Sequence, residues 1–165
     1  MDLDYGDHQA TRYTHQVMTE VRGPKAIERF NEIVRTTNTS DFEAQFFDLA
    51  SQTLLVIGSF DLAFYHEVEA LFEGVTFTRF DFGAVFCEPQ LFIGDSDSRE
   101  LAAQYTDLET DDVVFIIHNG PSFQGGRQHI VVAKSLTLRE GMVYHYQREN
   151  LQPGESIAPW VPSSS

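Results

Sequence analysis

From Gln52 onward the apolar residues fall into short runs rich in β-branched and aromatic side chains, among them "QTLLVIGSF", "AVFCEPQLFIG", "DVVFIIH" and "HIVVAKSLTL". Gly, Pro, Asn and Asp separate them. Short runs of this composition, several alternating with period two, read as strands. A chain punctuated this often cannot bury its apolar residues along long helices, so its core must be built on a sheet. Pro89 interrupts "AVFCEPQLFIG" and marks an edge or a bulge.

Helical patterning is confined to the first third and one short later segment. Pro24 suits a first helical turn, and in "PKAIERFNEIVRTT" Ile27, Phe30, Ile33 and Val34 share one face. Ser40 and Glu43 make a capping-box pattern before "FEAQFFDLA", where Phe42, Phe46 and Leu49 would line a second helix. "DSRELAAQY" reads as a short helix capped by Asp97 or Ser98. The fold class expected is therefore α+β, with two N-terminal helices packed on a mostly antiparallel, hairpin-rich sheet. Residues 1–22 read as an arm or edge strand, 23–151 as one domain, and 152–165 as a Pro- and Ser-rich tail that cannot extend a sheet, with Trp160 as its anchor.

Residues 61–73 are compatible with a helix or a strand; the strand reading makes Glu73-Gly74 a hairpin turn, matched by Glu140-Gly141 further on. Counting outward from the first turn, Val68 faces Arg79 and His66 faces Asp81, a pairing in which a carboxylate would fix an imidazole's tautomer. Counting from the second, Leu138 opposes Val143, Leu136 opposes His145 and Lys134 opposes Gln147. Lys134 would then lie in line with four aliphatic residues, where an ammonium must find a carboxylate or lose its proton.

"HNGPSFQGGRQH", residues 118–129, has the glycine content of a phosphate-binding loop but lacks the Lys and Ser/Thr after its last glycine, and a strand-like run follows where a helix is needed. It reads as a loop whose stems carry His118 and His129, with Arg127 at the lip of any pocket. The ligand-binding candidates are thus His66, Asp81, His118, Arg127, Lys134 and His145. No metal-ligand spacing accompanies these histidines. "GDSDSRE" resembles a calcium loop in its acids but places Arg99 and Glu100 where an acid or amide and a glycine are required, and it reads as a solvated helix start. Neither a metal nor a cofactor is expected, and Cys87, the single cysteine, reads as buried and inert.

Charge is the remaining signal. The chain's net charge is -14, and residues 38–112 alone hold 16 acids against Arg79 and Arg99. Such a field repels nucleic acid and anionic membranes and attracts a basic partner. No secretory signal or membrane-length apolar run is apparent, so the expected compartment is the cytoplasm. The leading expectation is a non-catalytic binding protein that docks a basic protein through its acidic central segment, with Asp107, Glu109, Asp111 and Asp112 as contacts. Inhibitors of basic nucleases work on this physical basis. The rival expectation is a small-ligand domain or enzyme with a His/Asp/Lys-lined pocket between helices and sheet. A structural or homo-oligomeric component is the third.

Overall fold

A computed structural model of the chain describes residues 19–80, 85–120 and 128–163. The described residues form a mixed fold of mostly antiparallel strands with two helices. In chain order these are β1 (Thr19–Arg22), α1 (Pro24–Thr36), β2 (Asp41–Asp48), β3 (Thr53–Ser59), β4 (Tyr65–Glu73), β5 (Phe77–Arg79), β6 (Val85–Cys87), β7 (Gln90–Ile93), α2 (Ser96–Ala103), β8 (Val113–His118), β9 (Gln128–Ala133), β10 (Ser135–Tyr144) and β11 (Glu155–Ile157). A seven-stranded sheet runs β1-β10-β4-β3-β2-β6, with β11 joined to β10, and a four-stranded sheet runs β5-β9-β8-β7.

One core binds both sheets and α1. Phe30 and Ile33 of α1 meet Phe42, Val56, Val68, Phe72 and Leu138 of the large sheet and Phe115, Ile117 and Val131 of the small one. The small sheet is apolar on both faces. Its other side, Val114, Ile116, Ile130 and Val132, is covered by α2 through Ala102 and Leu101 and by Leu108. This explains the unbroken apolar runs of β8 and β9, since a strand buried on both faces does not alternate. Asn31 of α1 ties the helix to the rim of the small sheet. Its side-chain amide donates to the Leu91 carbonyl and accepts from the Leu91 N–H, both at 2.8 Å, as a neighbouring strand would.

The second expected helix is a strand. Residues 41–48 form β2, between β3 and β6. The reason lies across the ladder: Phe42 sits opposite Gly58, and its ring covers the glycine so closely that a Cβ there would collide with it. The cross-strand contact outweighs the capping-box pattern, whose value is of the order of 1 kcal/mol. Leu49, the end of the supposed apolar stripe, is 79% exposed. Nor are both helices N-terminal: α1 follows β1, and α2 lies in the middle of the chain, capped by Asp95, which accepts from the Ser98 N–H at 2.9 Å.

Neither Glu-Gly pair makes a hairpin. At Glu73-Gly74 the chain leaves the large sheet and enters the small one, so β4 pairs with β3 and β10 while β5 pairs with β9. Gly74 has φ +63°, and a side chain there would run into Lys134. Glu140-Gly141 lies inside β10, where the ladder to β4 is irregular between Glu140 and Val143. A bulge absorbs the glycine without reversing the chain. The expected pairings of His66 with Asp81, Val68 with Arg79, Leu136 with His145, and Lys134 with Gln147 are therefore replaced. His66 pairs with Val143, Val68 with Glu140 and Leu136 with Phe72, and Lys134 lies at the corner between β9 and β10. The tail also departs from expectation, because β11 pairs parallel with β10. Among the described residues no helix is long and apolar enough to cross a membrane.

Candidate functional site

Beside the irregularity in β10 lies a polar group built around the buried His66. In a regular strand residues three apart point to opposite faces. Opposite the bulge, however, His66 and Glu69 of β4 meet: His66 Nε2 lies 3.0 Å from Glu69 Oε1. His66 Nδ1 lies 2.8 Å from Nε2 of His145, the residue that follows β10. The backbone of Leu62 hydrogen-bonds the His145 ring in the sense that favours its protonated form, as a carbonyl acceptor does. Trp160, carried in by the tail, stacks on His66 at 5.9 Å and leans on His145 at 5.5 Å. His66 is fully enclosed.

The proton count of this chain is fixed by its ends. A carboxylate and a carbonyl both accept, and the ring-to-ring contact needs one proton, so full bonding requires three N–H groups on two imidazoles. Arg139, paired with Glu69 across the ladder, approaches it to 3.8 Å and is itself held by Glu20 at 3.2 Å. Burial and the neighbouring His66 push the His145 ring below its ordinary pKa. The arrangement is a closed, internally balanced network that orders the tail over the sheet.

A second cluster lies at the corner between β9 and β10. Lys134 Nζ contacts Glu109 Oε2 and Asp111 Oδ1, each at 2.6 Å, and Asp112 Oδ1 at 2.9 Å. The hydrogen bonds it donates to Asp111 and Glu109, with the Asp112 carboxylate alongside, hold the ammonium well above the ordinary lysine range, and the same contact lowers the Asp111 carboxyl. Asp112 is buried, and its other oxygen accepts from the Glu109 N–H at 2.7 Å, closing the loop on itself. Glu109 and Asp111 differ: their side chains stay 72% and 69% exposed despite the contact. Asp107 is exposed as well.

The four expected ligand residues that are described, His66, His118, Lys134 and His145, fall in separate places apart from one histidine pair. His66 and His145 do meet, though through one another and not across a pocket. Lys134 belongs to the acidic loop, so the lysine and three of the four acids singled out in the sequence are one cluster. His118 pairs with Gln128 and His129 with Ile117, one step apart in the ladder, so the two histidines point to opposite faces. His118 packs edge-on against Phe92, and His129 lies among Phe80 and Phe86. Asp81 and Arg127 lie outside the described residues. Burial raises the Cys87 thiol, helped by Asp41 and Glu88, which opposes thiolate chemistry. Among the described residues no three His, Cys, Asp or Glu side chains are placed to hold a metal ion.

Sequence reasoning missed Glu69 and Trp160 as partners of the histidine pair. "YHEVEALFE" contains the acid, but alternation along a strand sets residues 66 and 69 on opposite faces, so the contact had no signal in the sequence. Comparison with family models, with curated proteins and with solved structures found no match to this chain.

Proposed function

We propose that the protein is a non-catalytic, cytoplasmic binding protein that docks a basic partner on the loop carrying Asp107, Glu109 and Asp111. The observation that carries this reading is the state of the cations around that loop. Lys134 is held by three carboxylates, and Arg99 donates to the Asp112 carbonyl at 3.0 Å. Both are committed within the fold, while three carboxylates of the loop keep exposed oxygens. The local surplus stays negative, and Lys134 fixes the loop so that Glu109 and Asp111 are presented with little ordering left to do on binding.

Charge presented in this way acts mainly on the rate of encounter. Neutralising Asp107, Glu109 and Asp111 to their amides should slow association with the partner and flatten its dependence on ionic strength, leaving dissociation less affected. Asp112 is withdrawn from the contact set, because its buried carboxylate serves Lys134 and the loop backbone. The rival pocket reading gains no comparable support, since among its described residues His66 and His145 are occupied with each other and Lys134 with the acidic loop.

A further inference from the structure

A groove of about 390 Å³ opens between the C-terminal end of α1 and the start of β4. Ile33, Thr37 and Thr39 line it from the helix side and the turn after it, together with Phe60, Tyr65 and Glu67. Its volume is that of a small-molecule site. Two carboxylates line it, Glu67 and Glu140, and among the described residues no lysine, arginine or histidine does.

The two acids are not equivalent. Glu140 is gripped by Arg29, whose Nε and Nη2 reach its two oxygens at 2.7 and 2.8 Å. Among the described residues Glu67 has the Thr39 hydroxyl at 3.2 Å, a neutral donor that leaves the carboxylate's charge uncompensated. The end of α1 adds to this charge, since a helix C-terminus carries a partial negative charge of about half a unit. Thr37 caps that end, its N–H and hydroxyl both bonded to the Ile33 carbonyl at 2.9 and 2.8 Å. Arg35, in the last turn, is exposed and does not line the groove. Phe60 and Tyr65 present aromatic surface, which attracts cations, and Phe60 is 64% exposed.

We infer that this groove binds an organic cation, a primary ammonium on an apolar stem, with Glu67 as the counter-ion and the aromatic pair holding the stem. Carboxylate, helix end and aromatic faces all favour positive charge, and the aromatic surface of Phe60 and Tyr65 favours a cation that carries an apolar stem. The site is separate from the 107–112 loop and stands without it.

The test is a two-dimensional amide NMR titration of the full chain with three probes: phenethylammonium, Nα-acetyl-lysine amide and the neutral phenethyl alcohol. Saturable shifts confined to residues 37–39 and 65–68 are expected with the ammonium compounds and not with the alcohol. The tighter of the two ammonium probes tells a free amine from a lysine side chain of another protein. Glu67→Gln, which can keep the Thr39 contact, should weaken binding about tenfold, as loss of a charge-assisted hydrogen bond does. Equal binding of the alcohol, shifts spread over the acidic surface, unchanged binding by a folded Glu67→Gln protein, or no saturable shift from either ammonium probe would overturn the inference.

Discussion

At the scale of single residues, the informative groups are charges that the fold has neutralised from within. Lys134 looked like a pocket lysine because it continues an aliphatic strand pattern, but the strand ends one residue earlier and the ammonium turns to three acids. Lys134→Met should therefore destabilise the fold, because Asp112 would be left buried without its counter-ion. A lowered urea midpoint, partly restored by adding Asp112→Asn, is the expected result. His145 makes a pH prediction. Its folded pKa is depressed by burial and by His66, so unfolded His145 takes up a proton first as the solution is acidified. The stability it contributes is complete above its unfolded value of 6.5 and is lost as pH falls through and below that value. Urea midpoints measured from pH 8 to about pH 5 should decline on the acid side, and His145→Asn should flatten that part of the curve.

At the scale of elements, much was legible wherever a pattern had only one physical solution. Pro24 and the Phe30/Ile33 face specify α1, and "DVVFIIH" and "HIVVAK" specify buried strands. Residues 61–73, compatible in sequence with helix or strand, hold a strand, β4, though not the hairpin that the strand reading carried. The failures share a cause: local signals were outweighed by partners distant in sequence. Ser40 and Glu43 resemble a helix cap, but Phe42 is needed over Gly58. Gly58→Ala should then cost about 1–3 kcal/mol, the usual penalty for forcing a side chain into a packed core, measurable by urea unfolding. The two Glu-Gly pairs look alike in sequence, yet one is a corner between sheets and the other a bulge. A glycine permits either, and only the partner strand decides. Since each strand's side-chain assignment depends on register, the hairpin register that set His66 against Asp81 fell with the hairpin, and His66 lies opposite Val143, two residues before the His145 that it contacts.

At the scale of the whole molecule, the charge asymmetry read from the sequence survives folding where it matters most. The acidic central segment supplies β2–β7, α2 and the 107–112 loop, and the loop's nearby cations are already engaged. A field of one sign concentrated on a rigid loop steers an oppositely charged protein and weakens as salt screens it. The distribution of charge was readable from residue counts alone, whereas the distinction between Asp112, which is structural, and Asp107, Glu109 and Asp111, which face outward, required the fold.

The most direct test compares three baits in parallel: the native chain, the variant Asp107→Asn/Glu109→Gln/Asp111→Asn, and a control that removes the same number of charges elsewhere, Glu28→Gln/Asp61→Asn/Glu149→Gln. The docking account predicts that the native chain and the control retain the same basic protein, released by salt, and that the loop variant binds it at least about tenfold more weakly, the equivalent of one charge-assisted contact. Equal retention by all three baits, equal loss in both variants, or no salt-released basic protein on the native chain would contradict it.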